Sequence, residues 1–154
     1  RDIGVIELDP SDGEAAPGRR AGCRTYLEQA GIPWSTVHVA VGHGTTRDGY
    51  AAASRLLTDH PWLTGLVCGN DRMAMGAYAA IREQGLRVRE DVAVIGIDDQ
   101  ELIADQVHPA LTTVALPFEE MGQVAVSHLL ALMEGEEVPA ETLLPGTIIR
   151  RSSA

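Results

Sequence analysis

Apolar residues fall along this chain in short runs that alternate with stretches of helical period. Ile3, Val5, Ile6 and Leu8 open the chain as a strand over residues 3–8, followed by a Pro/Ser/Gly loop over 9–18. A helix is predicted over about 19–30, with Cys23, Tyr26, Leu27 and Ala30 on its apolar face, stopped by Gly31 and Pro33. A second strand covers 37–41. Gly42-His43-Gly44 makes a turn, and Thr45 or Thr46 caps a helix over about 47–59 facing inward with Tyr50, Ala53 and Leu57. Leu66, Val67 and Cys68 form a third, buried strand. Gly69-Asn70-Asp71 breaks it with turn and cap residues. Ala74, Ala77, Tyr78 and Ile81 then recur at helical spacing over 71–84, and Gly85 ends that helix.

A polar link leads to Val92-Ala93-Val94-Ile95-Gly96-Ile97, apolar on both faces as a central parallel strand requires, and it ends in Asp98-Asp99. An irregular segment reaches 108–114. Pro117 starts a helix over about 118–133 with Phe118, Met121, Ala125, Leu129 and Leu132 on one face. A last strand is predicted over 143–150, with Arg151–Ala154 as a polar tail. Strand–helix alternation of this kind predicts an α/β fold, a doubly wound parallel sheet flanked by helices. Ligands of such sheets bind beyond the carboxyl ends of the strands. That puts Asn70, Asp71, Asp98 and Asp99 at the edge where selectors would stand, or where plain helix caps and solvated strand ends would stand.

Composition narrows the chemistry. The chain has 154 residues, 45% of them hydrophobic, and a formal net charge of −10, which disfavours direct contact with a phosphate backbone. All basic residues are arginine, so no Walker-A or Schiff-base lysine exists. No apolar run approaches a membrane span, and no signal peptide is visible at Arg1. The start without Met, almost inside a strand, reads as a piece of something longer. Cys23 and Cys68 read as small buried hydrophobes in a reducing compartment; a disulfide between them needs a geometry that sequence does not give.

Asp98-Asp99 could hold a metal, act as acid and base, or accept hydrogen bonds from ligand hydroxyls. A receiver-type phosphoacceptor pocket is excluded by the missing lysine. The histidines, His38, His43, His60, His108 and His128, show no metal-ligand spacing, and no nucleophile elbow or phosphate loop is present. No nucleophile–base–orienter set assembles. The chain is therefore expected to be no enzyme, with no cofactor and no metal.

Three linked motifs carry a family resemblance. They are Gly69-Asn70-Asp71-Arg72-Met73-Ala74-Met75-Gly76, Asp91-Val92-Ala93-Val94-Ile95-Gly96-Ile97-Asp98-Asp99, and Pro109-Ala110-Leu111-Thr112-Thr113-Val114 with Glu120-Met121-Gly122. Together with Gly85-Leu86-Arg87-Val88, in this order and spacing, they resemble the effector-binding domain of lactose/galactose-repressor-type bacterial transcription regulators. The resemblance implies a periplasmic-binding-protein-like (type I) core of two subdomains around a small-molecule cleft. It further implies a cytoplasmic homodimer that binds DNA through an N-terminal helix-turn-helix, which this chain lacks. On that pattern, 1–109 and 143–150 form the C-terminal subdomain. The helix at 116–133 belongs to an N-terminal subdomain that is otherwise missing, so it is expected to pack on a neighbouring chain or to be mobile.

Carried over residue by residue, the resemblance implies three ligand-binding positions. Arg19 would fork onto effector hydroxyls or a carboxylate, Asn70 would contact the effector through its amide, and Asp98 would accept from two hydroxyls. Asp71 and Asp99 are expected as caps and supports. Two departures argue against a simple hexose: Gly44 falls near the place of a stacking aromatic, and Leu116 stands where many members have a polar residue. The function implied is that of a ligand-sensing regulator domain binding a sugar- or nucleoside-like effector. The alternative is the periplasmic sugar-binding component of a transporter, which shares the fold and the cleft.

Overall fold

The computed structural model describes residues 2–13 and 15–154. Six strands form one sheet: β1 (Ile3–Leu8), β2 (His38–Gly42), β3 (Gly65–Cys68), β4 (Ala93–Asp98), β5 (Thr112–Ala115) and β6 (Thr147–Ile149). Their order across the sheet is β2-β1-β3-β4-β5-β6. The first five run parallel, as the sequence predicts. β6 is antiparallel to β5 and forms an edge. It is shorter than the predicted 143–150 because Pro145 cannot donate to a ladder and Gly146 packs against Val114 and the Ala115 carbonyl.

Among the described residues five α-helices accompany the sheet: α1 (Ala15–Gln29), α2 (Thr46–Asp59), α3 (Asp71–Glu83), α4 (Glu101–Ala104) and α5 (Phe118–Met133). α2 and α3 cover one face of the sheet. Leu56, Leu57, Ala77, Ala80 and Ile81 pack there on Ile6, Leu66, Cys68 and Val94 in one core. This core alone removes several large aliphatic side chains from water, each contributing about 1.5–3 kcal/mol relative to exposure. α1 lies on the opposite face, where Ala16, Arg20 and Cys23 line a narrow cavity with Val5 and Glu7. Both cysteines are free thiols, and burial pushes the Cys68 thiol up to about 12, so it behaves as a core hydrophobe.

Three details differ from the sequence reading. α1 starts at Ala15, earlier than predicted, with Pro17 and Gly18 inside its first turn. Proline is tolerated there because first-turn N–H groups have no helical acceptor. The helix consequently turns Ala16 and Leu27 inward and leaves Tyr26 72% exposed. In α2 the buried stripe is Gly49, Ala52, Ala53, Leu56 and Leu57, whereas Tyr50 stays exposed. Arg151–Ala154 is not a loose tail. Ser153 is fully buried, its hydroxyl donating to the Val94 carbonyl at 2.6 Å and accepting from the Thr112 N–H at 2.8 Å.

α5 buries none of its residues, and Phe118, Met121, Val126, Leu129, Leu130 and Leu132 are all exposed. Among the described residues no helix is long and apolar enough to cross a membrane.

Candidate functional site

Because β1 to β5 run parallel, their carboxyl ends gather at one edge of the sheet. Leu8, Gly69-Asn70 and Asp98 lie there, each at the end of its strand. Arg19, one turn into α1, reaches over from the covering helix. Its Nη1 donates to the Gly69 carbonyl at 2.5 Å and its Nη2 to Asp98 Oδ1 at 2.7 Å. The pair is neither buried nor free, with side-chain exposures of 21% and 16%, so its outer edge stays open to a ligand. Two of the three sequence-derived ligand positions thus form one hydrogen-bonded unit.

Asp98 is held by more than arginine. Gln100 Nε2 donates to Asp98 Oδ2 at 3.2 Å, so both carboxylate oxygens carry a donor. Since a carboxylate only accepts, the Gln100 amide oxygen must face away, as an acceptor beside Asp98. Asp98 and Asp99 both have positive φ, at 117° and 52°, a strained setting for residues with side chains. The strain is held from below by Asp71, which is fully buried. Asp71 Oδ2 accepts from the Gln100 N–H at 2.7 Å and Oδ1 accepts from the Thr113 hydroxyl at 2.6 Å. Gly96 leaves room for that carboxylate, since a Cβ there would lie 2.2 Å from Asp71 Oδ1. Burial raises the Asp71 pKa, against the lowering effect of those two donors, and the nearby Asp98 and Asp99 carboxylates add to the rise. Asp71 is therefore a support, as the sequence reading held, and a far more buried one than an ordinary helix cap.

Arg151 fastens the same turn from its other side. Its guanidinium lies 2.8 Å from Asp99 Oδ1 and 2.5 Å from Asp105 Oδ1, and it donates to the Leu111 carbonyl at 3.0 Å. Two arginines thus bracket a turn that carries two carboxylates, Asp98 and Asp99, with the Asp71 carboxylate beneath it, which offsets repulsion among them.

Asn70 has a different setting. It is 4% exposed, its Oδ1 caps α3 through the Met73 N–H at 2.8 Å, and its Nδ2 donates to the Gly44 carbonyl at 3.0 Å. It does not join the Arg19–Asp98 unit directly. It ties the β3 turn to the β2 turn and so fixes the floor between them.

Glu7 was not singled out by sequence. It points from β1 toward α1, is 7% exposed, and its Oε1 has no hydrogen-bond partner among the described residues. Arg20 lies 3.4 Å from the other oxygen. Burial pushes its carboxyl above the usual value of 4.5, and Arg20 partly opposes this. In the unfolded chain Glu7 ionises near its ordinary pKa, whereas the folded chain still holds the proton. Stability is therefore lost as pH rises from that value through the raised one, and the deficit persists at neutral pH. Glu7→Gln is expected to raise the melting temperature at pH 7, with the gain shrinking toward pH 4. A gain that stays constant across that range would contradict the buried-carboxylate account.

Among the described residues no group of three His, Cys, Asp or Glu side chains could hold a metal ion. What the edge offers is a guanidinium, a carboxylate and an amide oxygen set side by side, an arrangement for hydrogen-bonding a polar small molecule.

Comparison with known proteins agrees with this fold. The model of the periplasmic binding protein-like domain family matches residues 1–154. The HTH-type transcriptional repressor PurR of Photorhabdus laumondii is 38% identical over 154 residues, covering 99% of this chain and 45% of that protein. The crystal structure of the Lac repressor bound to ONPG in its repressed state superimposes with a TM-score of 0.91 at 32% identity. It covers 99% of this chain and 45% of that one. A LacI family transcriptional regulator from Arthrobacter sp. in complex with lactose superimposes with a TM-score of 0.82 at 30% identity, over 99% of this chain and 56% of its own. These relatives are transcription regulators rather than transporter components or enzymes, and this chain spans about half the length of each. The chain belongs to the periplasmic binding protein-like domain family, as an effector-binding segment of the lactose/galactose-repressor type.

Proposed function

We propose that this chain senses a small, hydroxyl-bearing effector for a cytoplasmic transcription regulator. The observation that carries the reading is the Arg19–Asp98 pair at the carboxyl edge of the parallel strands, half-open and braced by Gln100. Arg19 and Asp98 are the direct effector contacts. Asn70 shapes the floor and offers its remaining amide hydrogen. In this reading residues 1–109 and 143–150 make one wall of the cleft, and a second subdomain outside this chain makes the other. The exposed apolar side of α5 supports that division, because a helix with so much uncovered hydrophobic surface calls for a partner surface. The regulator acts as a homodimer through a DNA-binding helix-turn-helix outside this chain. No catalytic step is assigned.

The mechanism follows from linkage. An effector that bridges both walls stabilises one relative orientation, and it shifts DNA binding only through its differential affinity for the two orientations. A thermal-shift screen of the intact protein that carries this chain, with monosaccharides, lactose, polyols and nucleosides, tests the reading. Mass action requires a native-state ligand to raise the melting temperature, by about 2.7 kcal/mol of added stability at a hundred times Kd. The shift is expected to vanish in Asp98→Ala. A shift that survives this substitution would move the site elsewhere.

A further inference from the structure

The rim of the cleft holds a cation that no other group of the site neutralises. Arg72, in the first turn of α3, is exposed and makes no hydrogen bond or ion pair among the described residues. Arg19 and Arg151, by contrast, are each paired with aspartate. The position of Arg72 is informative. Gly44 has a φ of +72°, and a Cβ built on it would lie 3.2 Å from Asn70 Nδ2, 3.2 Å from Leu8 Cδ2 and 4.0 Å from Arg72 Nη2. A ring cannot stand at residue 44 without straining that turn. The guanidinium of Arg72 lies over the turn instead. Arg19 holds the Gly69 carbonyl and Arg72 follows Asn70 by two residues, so the two arginines flank one Gly69–Asn70 turn.

The edge is therefore polarised. At one end, Asp98 and the Gln100 amide oxygen accept hydrogen bonds beside a neutralised arginine. At the other, an unpaired guanidinium stands at the positive end of a helix. Resting on the function proposed above, we infer that the effector is anionic. Its hydroxyl-bearing part is read by Arg19, Asp98 and Gln100, and its phosphate or carboxylate pairs with Arg72. A guanidinium suits both groups, since its fork matches two oxygens at once.

Titration calorimetry on the intact protein tests this with matched probes: glucose against glucose-6-phosphate, ribose against ribose-5-phosphate, and galactose against galacturonate. At least one anionic member is expected to bind about tenfold tighter than its neutral parent at low salt, with the advantage falling as salt rises. Arg72→Ala should remove about tenfold of that advantage, in line with one charge-assisted hydrogen-bonded pair, and leave any neutral probe unaffected. Arg72→Glu should weaken the anionic probe further. Since Arg72 is exposed, unpaired and a cation at a helix N-terminus, neither variant should melt below the wild type, and Arg72→Glu should melt slightly above it. The phosphate and carboxylate arms separate the two anion types. Anionic members that bind no tighter than their parents, an anionic set that does not bind, or an advantage untouched in both Arg72 variants overturns the inference. Asp98→Ala separates the two proposals: tight anionic binding that ignores Asp98 but needs Arg72 overturns the site reading instead.

Discussion

Gly76→Ala is expected to destabilise the domain by about 3 kcal/mol, although alanine is the better helix former by about 1 kcal/mol. The reason is the crossing of α2 and α3, where backbone meets backbone. A Cβ on Gly76 would lie 2.1 Å from the Thr46 carbonyl oxygen and 2.5 Å from the Tyr50 nitrogen, and one on Gly49 would lie 2.2 Å from the Met73 carbonyl oxygen. No flexible side-chain end is available to move aside, so the helices must separate. Overpacking typically costs about 1–3 kcal/mol, and a rigid backbone contact places this case at the upper end. Against a total stability of roughly 5–15 kcal/mol, the urea midpoint should drop clearly with an unchanged slope. Because α3 carries Asn70 and Asp71 at its start, effector binding should weaken as well. A midpoint at or above wild type would show that the helices do not touch as described.

The second large effect is expected at Asp71. Removal of its carboxylate in Asp71→Ala leaves the Gln100 N–H and the Thr113 hydroxyl without their acceptor. Each buried unsatisfied group costs about 1–3 kcal/mol, so the variant should lose about 3 kcal/mol. The strained turn at Asp98 and Asp99 would lose its brace, and effector affinity should fall although Asp71 faces away from the ligand. Asp71→Asn is a sharper test. An asparagine can still accept from the Gln100 N–H and can donate to the Thr113 hydroxyl oxygen, so both contacts survive without a buried charge. That variant should be close to wild type at acid pH, where the wild-type carboxyl is protonated, and at least as stable as the wild type at neutral pH. Its pH dependence should be flatter. Burial raises the Asp71 pKa, so the wild type loses stability as pH climbs from the ordinary carboxylate value through the raised one. An Asp71→Asn protein as unstable as Asp71→Ala would refute the hydrogen-bond account.

Much of this architecture was legible in the residue pattern, for identifiable reasons. β1, β3 and β4 are central parallel strands, and Val92 to Ile97 shows the near-continuous apolar run that burial on two faces demands. The Thr45 and Asn70 caps follow from side-chain chemistry within three residues, and both accept from the N–H three positions on. The pairing of Arg19 with Asp98 spans 79 positions, and only the family resemblance brought the two together beforehand. What pattern alone did not give was the packing of small residues and of polar groups at long range. Gly49 and Ala52 bury as well as any leucine in α2 because α3 approaches closely, so the larger Tyr50 drew attention wrongly to its own face. Arg151 and Ser153 read as a solvated tail because their partners, Asp99, Asp105, Val94 and Thr112, lie on distant strands and turns. Gln100 has no local motif either. It matters through a backbone N–H that meets Asp71 and an amide that meets Asp98.

The measurement that bears most directly on the central claim is a crystal structure of the intact protein with the compound that gives the largest thermal shift. The account predicts that compound at the carboxyl edge of the strands, with hydroxyls hydrogen-bonded to Arg19 and Asp98 and with Asp71 still holding the Gln100 N–H. A compound bound away from this edge, with the Arg19–Asp98 pair untouched, would contradict it.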